Sequence, residues 1–266
     1  MSAEAFLALH RPGDPLLQPN AWDLGSARIL ESLGFRAIAT TSSGFAATLG
    51  RTDGGVSRDE ALEHCRQLST AVDVPVSADL ENCFADDPEA VSETVRRAVD
   101  TGLAGCSIEE YSGRETDRIY DAALAGDRVA AAAEAAHAGG LRLVLTARAE
   151  GLLHGGKDLA EIIARLQAFQ EAGADVLFAP GLRSIDDIRD VVSAVDRPVN
   201  VLAGPGRPTV SELADAGVAR ISVGGAFAFA AYATLIEVAT ELRDHGSYDL
   251  LTRAADGRAV ITNALT

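Results

Sequence analysis

The chain has 266 residues, 47% of them hydrophobic, with a net charge of −16 and one lysine, Lys157. That is ample material for a large core, and a charge balance that gives nucleic acid or an anionic membrane nothing to gain from this surface. Cys65, Cys83 and Cys106 lack CxxC spacing, the histidines form no HExxH pair, and no apolar run reaches the roughly 20 residues of a membrane span. Met1-Ser2-Ala3-Glu4 carries no secretion signal, so a reducing cytoplasm is the expected setting.

Leu16 to Asp23 reads as a first strand running into a turn. Asp23 then caps a helix marked by Ala27, Leu30 and Leu33 and ended by Gly34. Phe35 to Thr41 is a second strand. The polar, glycine-rich stretch from Ser42 to Ser57, which contains Asp53, is expected to be a working loop. A helix follows over 58–71. The third strand, Val74 to Leu80, opens at Pro75, where a lost amide matters least. Alternation along it turns Asp79 and Glu81 to the same side, with α-carbons about 6.6 Å apart. Asp87-Pro88 starts the next helix. Gly105 to Glu110 is a fourth strand, again ending in acids, and an alanine-rich helix fills roughly 117–138. Leu141 to Arg148 is a fifth strand ending in a cation, with Glu150 as the partner of Arg148. His154-Gly155-Gly156 reads as a mobile loop tip, and the helix over 158–172 stops at Gly173. Asp175 to Ala179, Pro198 to Val201 and Ala219 to Val223 complete eight strand-and-helix units. That number favours a parallel (β/α)8 TIM-type barrel in a single domain, 1–266. Helical patterns over about 226–266 lie outside the eight units.

Active sites of such barrels lie at the carboxyl ends of the strands. There the sequence places Asp23, Ser42, Ser43, Asp79, Glu81, Glu109, Glu110, Arg148 and Asn200, and the loop after the second strand adds Asp53. Carboxylates gathered without partners acquire raised pKa values and strain the fold. A hard divalent cation such as Mg²⁺, together with Arg148, resolves that conflict. Blander roles compete for single residues. Asp23 suits a helix cap, Asp53 a turn beside Gly54, and Arg148 a structural arginine at the mouth. Ser43-Gly44 suits an ST turn or a small anion cradle, and Cys83 and Cys106 suit packed thiols.

Thr41-Ser42-Ser43-Gly44 with Asp53, Asp79-Leu80-Glu81-Asn82, Ile108-Glu109-Glu110 and Thr146-Ala147-Arg148 together resemble the isocitrate lyase/phosphoenolpyruvate mutase superfamily. The resemblance runs from Pro19-Asn20-Ala21-Trp22-Asp23 to Ser222-Val223-Gly224-Gly225. Leu177 to Gly181 and Asn200 to Gly206 resemble a less characterised branch of it. It implies a barrel whose C-terminal helix is exchanged between the subunits of a homodimer or homotetramer. It implies Mg²⁺ held at Asp79, with Glu81, Glu109 and Asp53 holding metal-bound waters. The substrate would be a small 2-oxo or 2-hydroxy carboxylate met by Trp22, Ser43, Gly44, Arg148 and Asn200, with Arg148, Asp53 and Ser43 acting in catalysis. The expected reaction breaks or rearranges a C–C or P–C bond through an enolate.

The loop Tyr111 to Asp117 lacks the lysine- and cysteine-containing motif of the superfamily's lyases, which makes cleavage of a methylisocitrate-like substrate or a substituted malate the alternative. Cys83 stands where relatives commonly carry glycine and is expected to narrow the pocket, and Glu81 stands where many carry aspartate. Two further classes compete: a Schiff-base aldolase, for which Lys157 is the only amine in the side chains, and a binding protein that kept the barrel without the chemistry.

Overall fold

The computed structural model describes residues 2–140, 142–156 and 158–265, without the side chain of Asp256. Leu141, expected to begin the fifth strand, and Lys157 lie outside the described residues. Nine parallel strands form a nearly closed barrel: β1 (Leu16–Gln18), β2 (Asn20–Ala21), β3 (Ile38–Thr40), β4 (Val76–Asp79), β5 (Gly105–Glu109), β6 (Val144–Arg148), β7 (Val176–Phe178), β8 (Val199–Leu202) and β9 (Arg220–Ser222). The order is β1-β9-β8-β7-β6-β5-β4-β3-β2, so both ends of the sheet belong to the segment expected to be one strand. Pro19 divides that segment. It offers no N–H to a ladder, and its carbonyl accepts from the Ala39 amide at 2.9 Å. Before it, Leu16 pairs with Arg220; after it, Asn20 pairs with Ala39. The Asn20 side chain spans the seam, donating to the Thr40 carbonyl (2.6 Å) and accepting from the amides of Val223 (3.1 Å) and Gly224 (2.9 Å).

The helices that follow the strands are α2 (Leu24–Ser32), α4 (Arg58–Ala71), α5 (Pro88–Val99), α6 (Ala122–His137), α7 (Leu159–Glu171), α8 (Ile185–Ala194), α9 (Val210–Asp215) and α10 (Ala226–His245), after a short α1 (Ala3–Leu7) at the start. Asp23, Ser57, Asp87, Asp121 and Asp158 each cap one of them. The expected helix over 117–138 therefore begins later, where the Asp121 carboxylate can accept the free amides of Ala123 and Leu124. The expected loop after β3 is partly helix: α3 (Ser42–Thr48) starts at Thr41, whose hydroxyl accepts the Gly44 amide, and buries Gly44 and Ala46. At the end come α11 (Arg253–Leu265), packed on α2, and a single 3₁₀ turn before it.

The two faces of the strands have opposite characters, as a period of two requires. Outward-facing Val76, Ala78, Cys106, Ile108, Leu145, Ala147, Val199, Val201 and Ile221 join the helices in one apolar core. The floor of the barrel is plugged by Phe6 from α1, packed with Leu16, Val144 and Val176. Gly105 makes room for it, since a Cβ there would stand 2.9 Å from the Phe6 ring. Above that floor the inward positions are Gln18, Ser77, Ser107, Thr146, Asn200, Arg220 and Ser222, all buried. Interiors of such barrels are usually filled with branched apolar side chains; this one is polar.

His10, just after α1, is buried beneath this layer. Its Nδ1 donates to the carbonyls of Phe6 (3.1 Å) and Leu7 (3.2 Å), and its Nε2 meets Arg220 Nη1 at 3.3 Å. Burial, with Arg220 acting in the same sense, lowers its pKa to about 3. The folded state therefore refuses a proton that the unfolded chain accepts below about pH 6.5. Its contribution is complete above that pH and is lost as pH falls toward 3, at up to about 1.4 kcal/mol per pH unit. Urea midpoints measured from pH 7 to pH 4 should fall more steeply for the wild type than for His10→Gln. Parallel curves would rule this contribution out.

Candidate active site

The acidic turn after β4 is built by unusual backbone. β4 ends at Asp79, and Glu81, Cys83 and Phe84 take φ values of 51°, 58° and 59°. Glu81 is thus brought round by a left-handed turn, and simple strand alternation does not carry through to it. Such positions are costly for residues with a Cβ and persist only when their surroundings hold them. Here Arg128, 1% exposed, reaches in from α6 and donates to the carbonyls of Asn82 (2.5 Å), Ala85 (2.9 Å) and Glu109 (3.2 Å). Its guanidinium stacks 3.9 Å over the Tyr120 ring, whose hydroxyl bonds Asp86. Cys83 points into the apolar core and lines neither cavity at the mouth, so it does not narrow them.

Asp79, Glu81 and Glu109 come together as expected, but Arg148 sits among them. Its Nη1 donates to Asp79 Oδ1 at 2.9 Å and lies 3.1 Å from Glu109 Oε2, while its Nε donates to Glu150 Oε1 at 2.8 Å. Asp79 Oδ2 accepts from both the amide (3.2 Å) and the hydroxyl (3.1 Å) of Ser42. Burial acts to lower the pKa of Arg148, but Glu109, Glu150 and Asp79 outweigh it and raise the value. One guanidinium does not satisfy the whole group. Glu81 is pushed up to about 7, by burial first and then by Asp79 and Asp53. Burial also raises Glu109 well above the usual carboxylate range, against the pull of Arg148. Glu110, expected at the same mouth, faces away from it: Arg165 Nη1 holds it at 2.7 Å and the Glu150 amide at 2.9 Å.

Among the described residues no three acidic, imidazole or thiol groups stand in a ready ligating arrangement. The donor chemistry nonetheless fits Mg²⁺. Asp79, Glu81, Glu109 and Asp53 are all hard oxygen donors, and the raised pKa values of Glu81 and Glu109 mark negative charge that Arg148 leaves uncompensated.

Two cavities meet at the mouth. The outer one, about 1090 Å³, is lined by Ser42, Asp53, Glu81, Glu109, Arg148 and His154, among others. The inner one, about 190 Å³, descends past Ser43, Asp79 and Arg148 to Thr146, Asn200 and Arg220. Trp22 and Gly44 line neither cavity. Gly44 is a close-packing position: a Cβ there would meet Thr41 Cγ2 at 2.6 Å and Trp22 Cβ at 2.9 Å. Its amide already donates to Thr41 Oγ1. Asn200 is buried in the inner chamber, donating to Ser222 Oγ (3.0 Å) and accepting from Arg220 Nε (3.0 Å).

His154 carries more than the loop-tip reading allowed. It lies in a π-helix, Gly151–Gly155, stacked on Tyr111 with ring centroids 4.0 Å apart and 3.9 Å from Glu150 Oε2. Insertions of this kind recur at functional sites. The four-residue step from Glu150 to His154 was the signal in the sequence. Ser42 stands at its expected strand end, but Arg220 had no such signal, because it acquires its neighbours from remote strands.

The sequence model of the phosphoenolpyruvate phosphomutase family matches residues 6–243. The 2-methylisocitrate lyase of Escherichia coli is 29% identical over 211 residues, 73% of this chain and 70% of that protein. A Burkholderia cenocepacia J2315 structure, described provisionally as a lyase/mutase, superposes with a TM-score of 0.93 at 48% identity, covering 97% of this chain and 93% of that one. Oxaloacetate acetylhydrolase in complex with its product oxalate superposes at 0.82 with 26% identity, covering 92% and 88%. The chain belongs to the phosphoenolpyruvate phosphomutase family, within a superfamily of enzymes that act on C–C or P–C bonds of small acids.

Proposed function

From that membership we propose that the chain is a Mg²⁺-dependent enzyme that breaks or rearranges a C–C or P–C bond in a small 2-oxo acid of the oxaloacetate or phosphonopyruvate type. The observation that carries this reading is the gathering of Asp79, Glu81 and Glu109 around a single guanidinium at the strand ends, with Asp53 acting on Glu81 from the loop after β3. Asp79, Glu81 and Glu109, with Asp53, would hold the metal. Bound there, Mg²⁺ supplies a Lewis acid that draws electron density from a substrate oxo oxygen. Arg148, fixed by Glu150, holds a positive charge where water is scarce, and such charges gain strength from that surrounding. Ser42 holds Asp79 in place through two hydrogen bonds.

A lyase step needing a thiol proton donor fits less well. Cys65, Cys83 and Cys106 are all buried, and burial raises the pKa of each thiol. The loop after β5 folds back through a Tyr111–Ile119 bridge and brings no cysteine to the mouth. Decarboxylation or hydrolysis of a 2-oxo diacid, with water as the proton source, suits the site better. A panel of 2-oxo and 2-hydroxy diacids should reveal Mg²⁺-dependent release of pyruvate or oxalate. Turnover fully retained in excess chelator would sink the reading. Tight oxalate binding with an inert panel would favour a binding protein instead.

A homodimer or homotetramer completes the proposal. The C-terminal helices leave Phe229, Leu235, Ile236 and Leu242 of α10 and Val260 and Ile261 of α11 exposed. An apolar surface of this kind marks an interaction face. Light scattering should give a dimer or tetramer, and Ile236→Asp should shift it toward monomer. A monomeric wild type would contradict this.

A further inference from the structure

Among the described residues, Arg220 is a buried cation that pairs with no acid. It opens β9, points into the barrel and is 5% exposed. Its hydrogen bonds all go to neutral groups: Nε to Asn200 Oδ1 (3.0 Å), Nη2 to Thr146 Oγ1 (3.1 Å) and Nη1 to His10 Nε2 (3.3 Å). Each of these uses one N–H, so each Nη keeps a second. Among the described residues no carboxylate pairs with it; the charge that acts on it is Arg148, of the same sign. Burial and Arg148 pull its pKa down, to about 9, which leaves it protonated at neutral pH. A buried charge left unpaired is costly, and a fold that keeps one has a use for it.

The surroundings say what that use is. The inner cavity reaches Arg220 and Ser222 below and Asp79 and Arg148 above, so the chamber opens toward the mouth. Its walls offer hydroxyls and amides, and its acids, Asp79 and Asp53, do not pair with Arg220. Arg148 is matched by several carboxylates, whereas among the described residues Arg220 is matched by none. Thr146, which Arg220 touches, stands two residues before Arg148 on the same face of β6, about 6.6 Å away along the strand. That is a span a small diacid can bridge.

We propose that Arg220, with Thr146 and Ser222, receives a second carboxylate of the substrate, so that the enzyme acts on small dianions held with one end in the chamber. This deepens the function proposed above and rests on it, but its test needs no metal. In excess chelator, calorimetric titration of the wild type with malonate should show saturable binding, with acetate far weaker. Losing charge-assisted hydrogen bonds should weaken malonate binding about tenfold to a hundredfold in Arg220→Gln, with partial recovery in Arg220→Lys. With Mg²⁺, Arg220→Gln should raise KM for the diacid by a similar factor while kcat changes less, the pattern for a contact made equally in ground and transition states. A purely structural arginine would show no preference of malonate over acetate in the wild type. That result, or an Arg220→Lys variant that folds and binds malonate as the wild type does while Arg220→Gln does too, overturns the proposal. Should Arg220→Gln fail to fold, the wild-type titration and Arg220→Lys still decide. Chelator-resistant turnover would sink the metal reading and leave this binding untouched.

Discussion

Asp79→Asn should lower Mg²⁺-dependent turnover by about two to three orders of magnitude and leave the melting temperature unchanged or higher. The two halves of this expectation come from the same charge. The Asp79 carboxylate lies against Arg148 on one oxygen and Ser42 on the other, and both of those residues line the two cavities. Asparagine keeps its shape and loses its charge, and with it the donor that a hard cation needs most. For stability the change is relief: Asp79 helps to raise the pKa of both Glu81 and Glu109, so removing it lets both ionise at less cost. Calorimetric titration with Mg²⁺ separates these effects, because affinity should fall even as the fold is retained. An Asp79→Asn protein that binds Mg²⁺ and turns over like the wild type would remove this residue from the site.

The barrel was legible because its strands obey a short-range rule. Val76-Ser77-Ala78-Asp79 and Gly105 to Glu109 alternate between the apolar core and the interior, and glycine or a capping acid punctuates each unit. The seam was not legible, because Pro19 divides one extended segment between two partners far away in sequence. α3 reads as loop because Ser42-Ser43-Gly44 opens it and a glycine-rich stretch follows it, and what makes it helical is the Thr41 cap and burial against Trp22 and α10. At the site the acids could be named from their strand ends, yet their partners could not. Arg148 meets Asp79 across 69 positions and Arg220 meets His10 across 210. Such pairs are products of closure, and local patterns carry no trace of them. Glu81 shows the reverse failure: alternation put it on the correct side for the wrong reason, since a left-handed turn held by Arg128 does the work.

Arg148→Met should cost about 3–5 kcal/mol of stability and lower turnover by at least about two orders of magnitude. Asp79, Glu109 and Glu150 all touch this one guanidinium, and Glu150 is 1% exposed, so water cannot replace the lost partner. Methionine conserves much of the side-chain volume, so the loss reads charge more than packing. The informative measurement is the change in melting temperature on adding Mg²⁺ to each protein. In the wild type, Arg148 and the metal compete to neutralise the same oxygens, so the gain should be modest. In Arg148→Met the metal is the sole remaining counter-charge, and ligands that bind the folded state alone stabilise it in proportion to their affinity. Mg²⁺ should therefore raise the melting temperature of the variant more than that of the wild type, even though the variant stays inactive. Equal shifts in the two proteins would mean that Arg148 and the cation do not share these carboxylates, and the site would then have to lie elsewhere in the mouth.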